Sequence, residues 1–407
     1  MILFLTGYYP SHSRGGAQVR SATLLEHLHA RGHRVSLVLA SRRPGKEKLP
    51  GELARCVDHV STIALAGRPF PGTLTRPLAR ATRPAHWPAV RLVQSVANWL
   101  RPRPSVLDEV ADLVDRFRPE VLWVNGSYLT PLIARVPRHC ATLRVVDTLD
   151  VMHLRDASLR QAGLPEECGV TCSGEIALLD SFDLVLAIQD EERQVLEEML
   201  PRKRVITVGH ACAARPLPGG EPAVVFVGSG GPTNVHAVKT FIERAWPRVL
   251  HACAGARLEI VGSVCRAEGL RNLAARPENR LMLRGTVARI ADAYDGPAVV
   301  ICPLWAGSGL KIKMVEALSY GKAVVASPTA AQGLESGIGS AFLVAETLEQ
   351  FASAVIDLLT NLDRREALAS AAADYASAAF GLAAVYAGLD EALAGRRAAC
   401  SRPDKAA

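Results

Sequence analysis

The stretch PLWAGSGLKIKMVEALSYGKAVVAS, residues Pro303 to Ser327, places a glycine-rich turn between a buried strand and a helix. The apolar, β-branched run that leads into it from Val299 predicts a strand buried on both faces. Glycines in Ala306-Gly307-Ser308-Gly309 allow close backbone approach, and the first amides of the next helix form an anion site. A hydrophobic core does not need these polar residues. The stretch therefore predicts a ligand site at the carboxyl end of a strand.

Two lysines open the helix that follows this turn. Lys311 and Lys313 lie in its first turn, where the helix dipole favours acids over cations. A nearby diphosphate would offset the unfavourable placement. Glu316 lies on the same face as Lys313, one turn deeper, where its carboxylate can accept hydrogen bonds from ribose hydroxyls. An ordinary surface helix with a Lys–Glu pair is the alternative interpretation.

Two more glycine turns follow predicted strands. Gly228-Ser229-Gly230-Gly231 comes after the strand at 224–227, but Pro232 interrupts the GxGxxG pattern of dinucleotide-binding helices. Gly15-Gly16 comes after the first strand and precedes a helix. Each turn predicts backbone that contacts a phosphate, one from each of two facing domains, and tight packing is the alternative.

Short runs of Val, Ile and Leu alternate with helical patterns along most of the chain, which indicates βαβ units and parallel sheets. Pro-flanked glycines between Ala214 and Ala223 interrupt the alternation and predict a hinge. The predicted fold class is α/β, with doubly wound domains over 1–214 and 215–380, a C-terminal helix and polar tail over 381–407, and a crevice between the sheets. The predicted strands are 2–7, 34–41, 60–64, 120–125, 143–148, 184–188, 205–208, 224–227, 258–261, 281–283, 299–303, 323–326 and 342–344.

Length and composition narrow the class of protein. The chain has 407 residues, a formal net charge of +7 and nine cysteines. None of its apolar runs reaches the ~18 uninterrupted residues of a spanning helix. The start, MILFLTGYYP, predicts a buried first strand rather than a signal peptide. The cysteines lack the spacing of zinc ligands, so we expect reduced thiols, a cytoplasmic location and no metal site.

The positive charge is concentrated in residues 66–105, which contain seven arginines and no acidic residue. Together with Trp87 and Trp99, this basic insertion is typical of a segment that binds an anionic membrane surface or an anionic acceptor. A solvated, proline-rich loop and helix is the alternative. Nucleic acid is disfavoured as a partner because no recognition motif accompanies the patch.

Three runs, taken in order, resemble the retaining glycosyltransferases of family 4: TGYYPSHSRGGAQVRSATLLEHLHARGHRVSLV, DSFDLVLAIQDEERQVL and GSGLKIKMVEALSYGKAVVAS. The resemblance extends from Met1 to about Gly395 and leaves out the basic insertion. It implies the GT-B fold, in which two Rossmann-like domains face each other across a ligand cleft. It also implies transfer of a hexosyl unit from a nucleotide sugar to a glycan or lipid-linked acceptor, in polysaccharide or glycolipid biosynthesis, without a metal or other cofactor.

The resemblance assigns roles to several residues. Gly15 and Gly16 match the loop that approaches the donor phosphate, and Glu316 matches the ribose-binding glutamate. The family's first glutamate of that pair is replaced by Ser308, so the backbone amides of Gly307 to Leu310 are expected to contact the donor sugar. The basic residues that many members place after Gly228 are also missing. Lys313, helped by Lys311, is the candidate that replaces their charge.

Asp150 matches the aspartate of a His-Asp pair in the first domain, but Leu149 stands where the family has histidine. His153 is the candidate substitute. The leaving diphosphate can itself accept the acceptor's proton, so catalysis would depend on electrostatic stabilisation and orientation. Asp150 and Lys313 are therefore the predicted catalytic residues.

Three other functions remain open at this point. A sugar-nucleotide epimerase can use the same two-domain architecture, but it needs acids and bases converging on the sugar. A nicotinamide-dependent oxidoreductase is disfavoured by the absent GxGxxG motif. A non-catalytic binding or membrane scaffold is favoured by Ser308 and Leu149 at positions where polar catalytic residues are common.

Overall fold

The computed structural model describes residues 1–12, 15–41, 49–65 and 102–400. Trp87, Trp99 and all but one arginine of the basic insertion lie outside these ranges; Arg103 is the exception. Eight of the nine cysteines, all except Cys400, are free thiols.

Two parallel sheets form the framework. The first has seven strands in the order β3-β2-β1-β4-β5-β6-β7, and the second has six in the order β10-β9-β8-β11-β12-β13. The α/β fold and every predicted strand are confirmed, with ends that differ by a few residues. The strands are β1 Ile2–Thr6, β2 Val35–Ser41, β3 His59–Ala64, β4 Val121–Asn125, β5 Leu143–Asp147, β6 Leu184–Ala187, β7 Arg204–Thr207, β8 Gly219–Val227, β9 Arg257–Val261, β10 Leu281–Gly285, β11 Gly296–Cys302, β12 Ala323–Ala326 and β13 Leu343–Val344.

Helices cover both faces of each sheet, which is why the central strands are apolar on both sides. Alternate residues of β1 illustrate this: Leu3 packs into the core on one face, and Phe4 packs into the core on the other. The α-helices are α1 Gly16–Ala30, α2 Gly51–Ala54, α3 Pro104–Phe117, α4 Met152–Gln161, α5 Cys172–Leu179, α6 Asp190–Met199, α7 Pro232–Arg244, α8 Trp246–Ala252, α9 Glu268–Ala274, α10 Ala291–Tyr294, α11 Ile312–Ser319, α12 Leu348–Thr360, α13 Leu362–Phe380 and α14 Leu382–Cys400.

The last two helices connect the domains. Helix α13 packs Ala372 and Ala376 into the core of the second domain, and α14 packs Tyr386 and Leu389 against the first. The stretch Leu362–Ala394 is long and apolar enough to cross a membrane by length and composition alone. It comprises parts of both helices, which meet at Gly381, and its buried side chains serve the two cores. One third of its most apolar window is buried within the protein.

A buried ion pair fixes the edge of the first sheet next to the cleft. The Arg20 guanidinium donates to both carboxylate oxygens of Asp147, at 2.9 and 3.0 Å, and to the carbonyls of Val208 and Gly209. Both charged side chains are almost fully buried, and a bidentate pair with extra acceptors satisfies most of their hydrogen bonds. Helix α1, the end of β5 and the chain after β7 are therefore held together.

Candidate active site

The two domains meet where the carboxyl ends of β5 and β6 face those of β8 and β11. Ser308 Oγ donates a hydrogen bond to Asp150, and the Gly307 amide donates to Ser158 Oγ at 3.0 Å. Gly16 faces Ile312, and a Cβ at Gly16 would lie 2.9 Å from the isoleucine Cδ1. The structure thus brings the first-domain glycine turn, Asp150 and the late glycine turn into one cleft.

The late glycine turn has a backbone that glycine permits and most residues do not. Gly307 has φ of 117° and Gly309 has φ of 72°. A Cβ at Gly309 would also lie only 3.4 Å from carboxylate oxygens of Asp150 and Glu192. Leu310 is buried in the second core and anchors the turn. The Gly307 amide, one of those expected to contact the donor sugar, is occupied by Ser158.

Lys311 holds two loops of the second domain together. Its ammonium donates to the carbonyl oxygens of Ser308 and Gly309, at 2.9 and 2.6 Å, and to Gln332 Oε1 at 3.4 Å. These bonds use all three of its protons. Burial lowers the pKa of Lys311 to about 8. Without a ligand, Lys311 therefore links these two loops, and its contact with a diphosphate stays a prediction.

Lys313 has a different environment. Its Nζ donates to Asn234 Oδ1 and lies 4.7 Å from the centre of the Phe226 ring. Among the described residues no carboxylate forms an ion pair with it, and burial lowers the pKa of the ammonium. A half-buried cation with a neutral hydrogen-bond partner and an aromatic face is poised for an anionic ligand.

The amino end of helix α7 lies beside Lys313, because Asn234 is in its first turn. First-turn amides lack intrahelical acceptors, and the buried hydroxyl of Thr233 has no hydrogen-bond partner among the described residues. Ser229 is exposed and accepts from Asn234 Nδ2 at 3.0 Å. Gly228 is required by packing, since a Cβ there would lie 2.7 Å from the Phe226 ring. This helix end and Lys313 together form an anion site.

Glu316 lies one turn along α11 from Lys313 and is 9% exposed. Its carboxylate accepts no hydrogen bond from the part of the chain that the structure describes. Burial raises its pKa to about 7, and the charge of Lys313 opposes that shift. A carboxylate that lacks protein donors and retains a small exposed area is suited to accept ribose hydroxyls.

Asp150 is the centre of a charged cluster in the first domain. It accepts from Arg155 Nη1 at 2.7 Å, and the same guanidinium contacts Glu167 at 2.8 Å. It also forms a hydrogen bond with Glu192. Burial and the neighbouring Asp150 raise the pKa of Glu192 well above its usual value. A buried carboxyl group beside a second carboxyl group favours its protonated form, which accounts for the direction of the Glu192 pKa shift.

Leu149 and His153 flank Asp150 in the loop that enters helix α4. Leu149 adopts a left-handed backbone with φ of 62°, which is uncommon for its residue type. The His153 Nδ1 lies 2.7 Å from Glu175, whose fully buried carboxylate also accepts the amides of Met152 and His153. Glu175 therefore caps α4 and orients the imidazole of His153.

No cluster of three or more His, Cys, Asp or Glu side chains is arranged to bind a metal within the described ranges. The positive charges that the structure places at the cleft belong to the side chains of Arg155, Lys311 and Lys313.

Residues 221–361 match the sequence profile of the family described as Glycosyl transferases group 1. The second domain therefore contains a glycosyl transferases group 1 domain. No curated protein sequence matches it. Its fold is similar to that of sucrose-phosphate synthase from Thermosynechococcus elongatus, with 15% identity, a TM-score of 0.73 and coverage of 98% of this chain and 99% of that one.

The fold also resembles that of HepE from Anabaena, solved with UDP and glucose, at 17% identity and a TM-score of 0.61 over 97% of this chain and 99% of that one. WaaG, a glycosyltransferase of lipopolysaccharide biosynthesis, gives 14% identity and a TM-score of 0.60 over 96% and 99%. At these identities the likeness establishes the fold, and the predicted GT-B architecture is confirmed.

Sequence reasoning missed four polar residues of this cleft. Arg155, Ser158 and Glu192 come from the first domain, and Thr233 from the second. The signal for Glu192 was weak: it is one of three successive acids at the start of a helix, where acids are common for electrostatic reasons alone. Only the burial of Glu192 distinguishes it from Asp190 and Glu191.

Proposed function

We propose that this glycosyltransferase moves a hexosyl unit from a nucleotide-sugar donor to a glycan or lipid-linked acceptor, with retention at the anomeric carbon and without a metal ion. The observation that carries the proposal is the environment of Lys313. A half-buried ammonium beside the amino end of a helix, with no acidic partner among the described residues, costs stability unless it serves an anion. A diphosphate supplies that anion.

In this proposal the donor lies along the second domain. Its diphosphate contacts Lys313, the Thr233 hydroxyl and the first-turn amides of α7. Its ribose donates hydroxyl hydrogen bonds to Glu316. Gly16 approaches the phosphates from the first domain, where the lack of a side chain keeps the cleft narrow. These contacts position the donor and offset its charge without a divalent ion.

The chemical step depends on stabilising the departing diphosphate. Lys313 and the helix amides are aimed at the oxygen that gains charge as the anomeric bond breaks. That oxygen then accepts the proton of the attacking hydroxyl, on the same face that the diphosphate leaves. Asp150 is held by Ser308, Arg155 and Glu192, so we assign it to orientation of the sugar rather than to covalent attack.

The acceptor is proposed to be anionic or lipid-linked. The basic insertion belongs to the domain to which the family resemblance assigns the acceptor, and its arginines and tryptophans suit a headgroup interface. WaaG, which shares the fold, is involved in lipopolysaccharide biosynthesis. A peripheral position on the cytoplasmic face of a membrane fits both features.

A donor panel tests the proposal. The protein is incubated with nucleotide sugars that differ in base and sugar, and release of nucleoside diphosphate is measured with and without EDTA. We expect turnover of at least one donor, and an NMR spectrum of the product with the donor's anomeric configuration. A protein that neither binds nor turns over any donor would instead be a scaffold, and an inverted product would refute the mechanism.

A further inference from the structure

The first turn of helix α6 presents two buried polar groups to the second domain. Gln189 is 7% exposed and Glu192 is 3% exposed. Oε1 of Gln189 and Oε2 of Glu192 have no hydrogen-bond partner among the described residues. Residues three apart lie on the same face of a helix, so both atoms are on one side of this turn. A buried polar atom without a partner costs free energy, which a ligand that hydrogen-bonds to it would recover.

Each of these side chains faces a glycine of the opposite domain. A Cβ at Gly309 would lie 3.4 Å from Glu192 Oε1, and a Cβ at Gly333 would clash with the carboxamide of Gln189. Both glycines are left-handed, with φ of 72° and 76°. The ammonium of Lys311 joins their two loops through Gly309 and Gln332. One polar helix face is therefore opposed by one cross-linked pair of glycine turns.

The charges around this face select the class of ligand. The Asp150–Glu192 pair disfavours an anion, and Lys311, with its protons already committed, disfavours a cation. Arg155 is taken by Asp150 and Glu167. The atoms left without a hydrogen-bond partner among the described residues are the amide oxygen Oε1 of Gln189 and the carboxyl oxygen Oε2 of Glu192. Neutral hydroxyl groups, which both donate and accept, satisfy them best.

We propose that Gln189 and Glu192 form a subsite for hydroxyl groups of the transferred sugar. The subsite deepens the proposed function and rests on it, because the sugar reaches this face only if the diphosphate lies at Lys313. The two residues are positioning residues that select the sugar. The hydroxyls would enter with the donor and take their places as the glycine turns approach helix α6.

Calorimetry of the full-length protein tests the subsite with a nucleotide sugar that gives turnover and with the corresponding nucleoside diphosphate. Gln189→Met and Glu192→Met keep side-chain length and remove the hydrogen bonds. Each is expected to weaken nucleotide-sugar binding about tenfold and diphosphate binding less than twofold, as the loss of one hydrogen bond to the sugar predicts. Glu192→Gln, which retains an acceptor and a donor, should restore most of the affinity.

The matched control is Glu191→Gln, an exposed acid on the same turn, which should leave both affinities unchanged. Equal losses for both ligands would mean that the face only supports domain packing, and unchanged sugar binding would also overturn the inference. Donors that lack single sugar hydroxyls provide a second measurement on the unmodified protein. Deoxygenation at some positions should weaken binding about tenfold, and uniform affinity would refute the subsite. If the unmodified protein binds no nucleotide sugar at all, the proposed function itself fails.

Discussion

Replacing Lys313 by methionine should weaken donor binding and stabilise the fold. The side chain keeps its length and apolar contact with Phe226, while the ammonium and its hydrogen bond to Asn234 are lost. A charge-assisted contact to phosphate in a closed site is worth about 2 kcal/mol, so the dissociation constant for the nucleoside diphosphate should rise roughly 30-fold. The unliganded protein should gain about 1 kcal/mol or more of unfolding free energy, because a buried charge without an acidic partner is removed.

Calorimetry with nucleoside diphosphate and urea unfolding of the free protein measure the two effects separately. Lys239→Met is the matched control, since that lysine lies on α7, is about half exposed and pairs with Glu243. It should change neither quantity by more than about 0.5 kcal/mol. A Lys313→Met protein that binds diphosphate normally would refute the phosphate assignment. A loss of stability together with normal binding would show that Lys313 is purely structural.

Glu316→Gln should unfold with roughly 3 kcal/mol more free energy than the unmodified protein at pH 8 and with equal free energy near pH 4, in urea titrations. The carboxyl group of Glu316 has a pKa of about 7, against an ordinary 4.5, so it destabilises the fold increasingly as the pH rises from 4.5 to 7. A difference in unfolding free energy that does not change with pH would contradict this. Gly16→Val should lower turnover at least tenfold, because the valine side chain would collide with Ile312. An unchanged rate would show that this glycine turn is not part of the active cleft. EDTA should leave initial rates unchanged. A rate that is lost with EDTA and recovered with added Mg²⁺ would show that the reaction requires a metal ion. Substituting four arginines of the basic insertion by glutamine should reduce sedimentation with anionic vesicles but leave donor affinity unchanged. Equal sedimentation of both proteins would show that the insertion does not bind the membrane. The four positions are Arg76, Arg80, Arg83 and Arg91.

The framework was predictable because parallel strands buried on both faces read as short apolar runs. Each of the β-strands coincides with such a run, and the boundaries differ where the sheet extends past the apolar residues. Strand β8 shows this: the apolar run begins near Ala223, but the strand begins at Gly219, within the predicted hinge. Backbone pairing there places Gly219 opposite Gly296. A pairing between two glycines cannot be predicted from the pattern of apolar side chains.

The candidate site was predictable in part, for a related reason. Glycines with obligatory conformations, such as Gly309, and cations at a helix start, such as Lys313, are local signals. Two partners of Asp150 are not, because Glu192 and Ser308 are 42 and 158 residues away along the chain. Glu192 becomes a neighbour when the first domain folds, and Ser308 when the two domains meet. The different hydrogen-bond partners of Lys311 and Lys313 also depend on which carbonyl oxygens a loop presents.

The opposite pKa shifts of Lys313 and Glu316 have one physical origin. Burial lowers the pKa of the ammonium and raises that of the carboxyl group, although the two charges attract each other. Dehydration therefore outweighs their mutual attraction, and the free protein stores unfavourable energy at this part of helix α11. A nucleoside diphosphate would relieve both groups, with phosphate beside the ammonium and ribose hydroxyls beside the carboxylate. The stability that these two residues sacrifice without ligand becomes binding free energy when the donor is present, which is why a polar cluster can persist in a core-facing helix.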